Sequence, residues 1–109
     1  MLVVDDDESM RMLCRINLEL GGYRVLEAPT VEQARELLAN ETIDVVLLDV
    51  HVGVGDGLSV LEGVTSERVA LFTGSYEIDQ ARRPQVDAVL RKPFTLSELS
   101  STVAVLAAP

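Results

Sequence analysis

The sequence predicts an α/β fold in which a doubly wound, five-stranded parallel sheet is covered by helices on both faces. Short apolar runs rich in Val and Leu alternate, along the whole chain, with longer stretches whose apolar residues recur at helical spacing. Within the run at 43–48, the stretch Val45 to Leu48 is apolar on both faces, which is typical of a central parallel strand with helices above and below it. Repeated β-α units joined by right-handed crossovers produce such a sheet.

The strand predictions rest on apolar runs of strand length, several of them rich in β-branched residues. The third run is the longest, and it ends directly at Asp49. The fifth run is followed by the pair Lys92-Pro93. The predicted strands cover residues 2–4, 23–26, 43–48, 69–72 and 88–90.

The helix predictions rest on start and stop signals as well as on spacing. Gly21 and Gly22 end the first helix, because glycine readily adopts the left-handed conformation that follows a last turn. The second and last helices begin at capping-box spacings, Thr30 with Gln33 and Thr95 with Glu98. Two shorter helices of one or two turns are predicted, and Pro84 should stop the second of them. The helices cover residues 10–20, 31–40, 58–64 and 77–83, and a last one has the apolar stripe Leu96, Leu99, Val103 and Leu106.

Length and composition predict one domain spanning residues 1–109, with a single core and 48% hydrophobic residues. No apolar run is long enough to cross a bilayer, and the segment after Met1 lacks the features of a signal peptide, so we expect a cytoplasmic protein with no membrane contact. Cys14 is the only cysteine, and we interpret it as a small buried apolar residue. The net charge of -9 would repel nucleic acid, so direct nucleic-acid binding is not expected.

Chemically reactive side chains follow the predicted strands at the points where they end. Ligands bind at the carboxyl edge of such sheets, so these side chains should share one crevice. Carboxylates that converge there either share protons or hold a cation, and Mg²⁺ is the natural partner of a few oxygen ligands and a phosphate. The ion would also neutralise charge while a phosphoryl group moves onto Asp49, and Lys92 and Thr73 would supply a cation and a hydroxyl donor. The strand-end residues are Asp5 and Asp6, Asp49, Thr73 and Lys92.

In their order and spacing, four motifs resemble the receiver domains of two-component response regulators. The resemblance covers the whole chain. It implies the flavodoxin-like form of the fold, with strand order 2-1-3-4-5. The motifs are Val3-Val4-Asp5-Asp6-Asp7, Val45-Val46-Leu47-Leu48-Asp49, Leu71-Phe72-Thr73-Gly74 and Arg91-Lys92-Pro93-Phe94.

The resemblance also implies a role for each matching residue. Asp5 and Asp6 would organise Mg²⁺, with Mn²⁺ as an alternative, and Asp49 would take a phosphoryl group from a phosphohistidine on a sensor histidine kinase or a histidine phosphotransfer protein. The backbone carbonyl of His51 would be a further metal ligand. The remaining implied assignments are Thr73, Gly74 and Lys92 at the phosphoryl group, with the threonine and lysine triggering the switch, and a cis peptide bond before Pro93.

The sequence departs from the family at several positions outside the acidic cluster. Gly53 stands where receivers carry a proline, and Val89 stands where they carry the aromatic residue of the switch; Tyr76 is a candidate substitute. The segments on either side of Thr73 are short, which should trim the third and fourth helices. Gly74 should leave the pocket mouth open to small phosphodonors. We expect no output domain in this chain, so output would come through a partner effector or through chain that is absent here, and a homodimer is left open.

Plainer interpretations remain for single residues. Asp5 to Asp7 would serve as helix caps, Thr73 as a strand-end hydroxyl and Lys92 as a surface lysine. The glycine-rich stretch 53–57 lacks the lysine-serine ending of a P-loop and is interpreted as a turn. Two alternatives to a phosphorylated signalling module stay open: an interaction scaffold that has lost phosphorylation, and a Mg²⁺-dependent phosphatase that uses an aspartyl phosphate. Short loops with no substrate-closing cap speak against the phosphatase, so an enzyme acting on external substrates is not expected.

Overall fold

The computed structural model describes residues 1–52, 55–73 and 86–108. Its main sheet has five parallel strands in the order β2-β1-β3-β6-β7, and β4 and β5 form a separate antiparallel pair. The strands are β1 (Leu2–Val4), β2 (Leu26–Ala28), β3 (Val45–Asp49), β4 (His51–Val52), β5 (Gly55–Asp56), β6 (Arg68–Thr73) and β7 (Ala88–Arg91), and the helices are α1 (Glu8–Leu20), α2 (Val31–Asn40), a 3₁₀ helix (Gly57–Gly63) and α3 (Leu96–Ala107).

When the five strands of the main sheet are numbered in chain order, their order across the sheet is 2-1-3-4-5, as predicted. The order reverses between β1 and β3, where β1 pairs with β2 on one side and with β3 on the other. Ligands of doubly wound sheets bind in the crevice at such a point, outside the carboxyl ends of the strands. The register pairs Val4 with Leu48 and Asp49 with Phe72, which brings the carboxyl ends of β1, β3 and β6 to one edge.

Apolar side chains of the sheet form a core on each face. Successive residues of a strand point to opposite faces, so the all-apolar stretch of β3 fills both cores. Val46 and Leu48 pack with α2 and the 3₁₀ helix, whereas Val45 and Leu47 pack with α1 and α3. Cys14 is fully buried in the second core, as its interpretation as an apolar residue predicted.

The helix ends follow their sequence signals. Asp7 caps α1, accepting hydrogen bonds from the backbone N–H groups of Ser9 and Met10. Gly22 follows that helix with a φ of 93°, in the region that glycine tolerates best. Thr30 accepts from the N–H of Gln33 at the start of α2. Thr95 and Glu98 form the complete predicted capping box of α3.

Several predicted boundaries were wrong, and β2 was wrong by the most. It covers Leu26–Ala28 rather than 23–26, because its partner β1 consists of Leu2–Val4 and the two pair from Leu2 with Leu26 onward. The helix α1 starts two residues before the predicted Met10, directly after its cap.

The predicted stripe of α3 is buried at Leu99, Val103 and Leu106, but Leu96 is exposed because it lies in the first turn, at the helix end. The predicted short helix at 58–64 is present as the 3₁₀ helix. The predicted helix at 77–83 lies outside the described residues. None of the helices in the described part of the chain is long and apolar enough to span a membrane.

Candidate functional site

Three carboxylates meet at the carboxyl edge of the sheet. Asp5 follows β1 directly, Asp6 is next in the loop, and Asp49 is the last residue of β3. One carboxylate oxygen from each lies within 4.8 Å of the other two. The sequence had predicted this convergence from the strand ends, and the parallel pairing of β1 with β3 produces it.

The main chain and its neighbours hold the Asp5 carboxylate in place. Asp5 is fully buried, its backbone N–H donates to the carbonyl of Ala28, and its Oδ1 accepts a hydrogen bond of 2.9 Å from the N–H of Asp7. Asp49 is 9% exposed and Asp6 is exposed at the rim. The cluster therefore has a buried floor and one side open to solvent.

Lys92 supplies a positive charge to this cluster. Its Nζ lies 3.3 Å from Oδ2 of Asp5 and 3.3 Å from Oδ2 of Asp49, and its side chain is 28% exposed. The loop that carries it follows β7, and the peptide bond between Lys92 and Pro93 is cis. One ammonium thus bridges two of the three carboxylates, and the cluster keeps a negative excess.

Burial and crowding change the protonation of these groups. Burial, together with the nearby Asp49 carboxylate, raises the pKa of Asp5, although the Asp7 N–H and Lys92 act in the opposite direction. Burial would lower the pKa of Lys92, but Asp5 and Asp49 outweigh it, so the pKa is raised and the amine stays charged. Burial, with help from the Asp5 carboxylate, raises the pKa of the Cys14 thiol to about 11, so the thiol stays protonated and unreactive.

Replacing Asp5 with asparagine is expected to stabilise the metal-free protein by on the order of 1 kcal/mol at neutral pH. Burial raises the pKa of Asp5 in the folded chain above its ordinary value of 3.8, so the folded state binds the proton more tightly and loses stability as pH rises from that value through the raised pKa. Urea unfolding with a chelator, from pH 4 to pH 8, measures the difference. As pH rises, the free energy of unfolding of the wild type should fall below that of Asp5→Asn. Parallel curves for the two proteins would contradict a raised pKa of Asp5.

The donor set suits a hard divalent cation. The three clustered carboxylates offer only oxygen ligands, two of them are largely buried, and a single ammonium cannot neutralise them. Mg²⁺ takes one or two carboxylates, keeps several waters and completes its shell with phosphate oxygens. Because Asp6 is exposed, that side of the cluster is accessible to water and to a phosphate. The residues present therefore fit the predicted ion.

Gly57 lies against the backbone that carries Asp49. Its N–H donates a hydrogen bond of 2.8 Å to the carbonyl of Val50, and a Cβ built on Gly57 would run into the backbone carbonyl oxygen of Asp49. Sequence reasoning had interpreted the glycine-rich stretch only as a turn. A glycine eight residues after a strand-end aspartate was the available signal, but only the folded chain shows the close approach.

The remaining predicted site residues are only partly described. Thr73 ends β6 and His51 begins β4, as their predicted places at the carboxyl edge require. The structure describes only the backbone of these two residues. Gly53, Gly74 and Tyr76 also lie outside the described residues. Val89 lies in β7 and is 39% exposed. The described site therefore consists of the acidic cluster and Lys92.

Comparison with known proteins agrees with this geometry. The family model for the response regulator receiver domain matches residues 1–104. The chain belongs to this family. It is 31% identical to the alkaline phosphatase synthesis transcriptional regulatory protein PhoP of Bacillus subtilis, over 94% of this chain and 45% of PhoP. It is 30% identical to the KDP operon transcriptional regulatory protein KdpE of Escherichia coli, over 95% of this chain and 49% of KdpE. The receiver chain thus spans less than half the length of these relatives.

Solved receiver structures share the fold. A CheY-like receiver domain from Methanospirillum hungatei superposes with a TM-score of 0.87 at 22% identity, covering 95% of this chain and 90% of that one. A response regulator from Burkholderia pseudomallei, crystallised with a phosphorylated aspartic acid, a calcium ion and citrate, superposes with a TM-score of 0.75 at 26% identity, covering 97% of this chain and 71% of that one. The first likeness supports the fold of this receiver.

Proposed function

We propose that this receiver accepts a phosphoryl group on Asp49 in a Mg²⁺-dependent reaction. The observation that carries the proposal is the Asp49 carboxylate itself, clustered within 4.8 Å of the Asp5 and Asp6 oxygens and 3.3 Å from the Lys92 ammonium. The Burkholderia pseudomallei regulator, crystallised with a phosphorylated aspartic acid and a calcium ion, supports the same chemistry here.

In this mechanism the chain positions and neutralises the reacting groups. Asp5 and Asp6 would hold the metal together with Asp49, and the His51 carbonyl would be the further ligand that family membership suggests. When bound, Mg²⁺ would supply positive charge to offset the charge on the phosphoryl oxygens during transfer. A carboxylate oxygen of Asp49 attacks phosphorus along the open side of the cluster, the new P–O bond forms as the P–N bond of a phosphohistidine breaks, and the imidazole leaves with its electron pair.

Lys92 changes partner during the reaction. Before transfer its ammonium pairs with Asp5 and Asp49. After transfer the phosphoryl oxygens carry the negative charge, so the ammonium on its flexible stem follows them and keeps its contact with Asp5. Thr73 and Gly74, at and after the end of β6, are the proposed contacts for a second phosphoryl oxygen. Movement of these segments would report the phosphorylation to a partner surface.

The proposed donor is a histidine kinase or a histidine phosphotransfer protein in the cytoplasm. The output would pass through an effector protein or a further domain, because the relatives are much longer than this chain. The module would catalyse only its own phosphorylation and dephosphorylation. With a net charge of -9 it would not bind nucleic acid directly.

Beryllofluoride tests the proposal, since it forms a phosphoryl-like adduct on a metal-bound aspartate. Added with Mg²⁺, it should shift the backbone amide resonances around Asp49 and Lys92 in the wild type and leave them unchanged in Asp49→Asn. Transfer of labelled phosphate from a phosphorylated histidine phosphotransfer protein should show the same dependence. A wild-type chain that binds Mg²⁺ but responds to neither reagent would support an interaction scaffold, which Val89, in place of an aromatic switch residue, also favours.

A further inference from the structure

Arg11 links α1 to the acidic loop of the proposed site. Its Nη1 donates a hydrogen bond of 2.8 Å to the backbone carbonyl of Asp5, six residues earlier in the chain. The Arg11 side chain is only 13% exposed. The guanidinium is therefore largely buried and donates to the main chain of the loop.

Glu27 forms an ion pair with the Arg11 guanidinium. The Nε of Arg11 lies 3.5 Å from Oε1 of Glu27, and the Nε of Arg15 lies 3.5 Å from Oε2 of the same carboxylate. Glu27 lies in the edge strand β2, in register with Val3 of β1. A carboxylate on the sheet thus forms an ion pair with the guanidinium that contacts the loop.

The carbonyl of Asp5 occupies a sensitive position in this loop. It belongs to the peptide group that joins Asp5 to Asp6, so the rotation of that peptide plane sets the relative positions of the two carboxylates. The preceding peptide is already fixed, because the Asp5 N–H donates to the carbonyl of Ala28. The hydrogen bond from Arg11 fixes the next peptide group, which joins Asp5 to Asp6.

We propose that Arg11, oriented by Glu27, is a positioning residue for the metal: it fixes the peptide between Asp5 and Asp6 so that both carboxylates face the same ion. This role rests on the proposed Mg²⁺ site. Groups that orient metal ligands without touching the metal typically change metal affinity by about ten- to a hundredfold when they are removed.

Because Arg11 is positively charged, the direction in which its removal changes the affinity for Mg²⁺ tests the proposal. If Arg11 acted only as a nearby positive charge, its removal would strengthen cation binding, and a lysine in its place would leave binding unchanged. If it positions the loop, Arg11→Gln and Arg11→Lys should both weaken binding, because neither side chain reproduces a guanidinium that contacts Glu27 and Asp5 at once.

Calorimetric titration of Mg²⁺ into the whole chain measures this directly. We expect about tenfold weaker binding in both Arg11 variants. Arg15→Gln is the matched control: it removes the same charge from the same Glu27, but Arg15 contacts Glu27 and Glu19 rather than the loop, so binding should stay within about twofold. In metal-free protein, the amide resonances of Asp6 and Asp7 should move in the Arg11 variants and not in the control.

The outcomes separate this role from the proposed function. Unchanged binding in Arg11→Lys with tighter binding in Arg11→Gln would overturn the positioning role and leave the metal site intact. Equal weakening in Arg15→Gln would also overturn it. If the wild-type chain bound no Mg²⁺, the site and the role would both fail. Weakened binding in the Arg11 variants would support the role even in a chain that accepts no phosphoryl group. Thermal unfolding of each variant confirms that the titrated protein is folded.

Discussion

Gly57→Ala is expected to lower the free energy of unfolding by about 3 kcal/mol, the upper part of the range for overpacking a tightly packed site. The new methyl group would overlap the backbone carbonyl oxygen of Asp49 and lie 2.7 Å from that of Val50. Both neighbours are main chain, so no side chain can rotate away. The hydrogen bond from the Gly57 N–H to Val50 also prevents the two segments from separating freely.

Gly63→Ala is the matched control for this variant. Gly63 ends the same 3₁₀ helix, and the nearest atom to its added Cβ would be the Leu38 Cδ1 at 3.7 Å, an ordinary contact. Urea unfolding should therefore place Gly63→Ala close to the wild type and Gly57→Ala far below it. Any Gly57→Ala protein that folds should also bind Mg²⁺ more weakly, since the end of β3 carries Asp49. Equal stability of the two variants would contradict the close approach.

Lys92→Met is expected to destabilise the metal-free protein by about 2 kcal/mol. The change keeps a long apolar stem but leaves Asp5 and Asp49 without the ammonium that lies 3.3 Å from each. The expected loss is below that of a fully buried ion pair, because the Lys92 side chain is 28% exposed and solvent screens part of the interaction. The loss should shrink as pH falls, since the raised pKa of Asp5 lets a proton take over the neutralisation.

Mg²⁺ should rescue this variant. Removing the ammonium removes a competitor for the same carboxylates, so added Mg²⁺ should raise the melting temperature of Lys92→Met by more than that of the wild type. Arg24→Met is the control: it removes a cation whose side chain is 66% exposed and which pairs with Glu41, so it should change neither stability nor the response to Mg²⁺ appreciably. An equal response of wild type and Lys92→Met would contradict a shared carboxylate cluster.

Much of the fold and the acidic cluster could be predicted because the signals are local. The run Val45 to Leu48 is apolar on both faces wherever it lies, and carboxylates that end neighbouring parallel strands must share an edge. The capping box at Thr95 and Glu98 is likewise complete within four residues.

The errors and omissions involve contacts between distant segments. The position of β2 depends on its pairing with β1. The strand propensity of residues 23–26 contains no information about that pairing. The need for glycine at position 57 arises only when the chain returns to the carbonyl of Asp49. The role inferred for Arg11 depends on Glu27, sixteen residues further along the chain, in the edge strand.

Intact mass spectrometry after treatment with acetyl phosphate and Mg²⁺ tests the central claim most directly. The wild-type chain should gain the mass of one phosphoryl group, and the gain should disappear in a chelator. Asp49→Asn should gain nothing under the same conditions while remaining folded. A wild-type chain that gains no mass although it binds Mg²⁺, or an Asp49→Asn chain that gains the same mass, would contradict Asp49 as the phosphoryl acceptor.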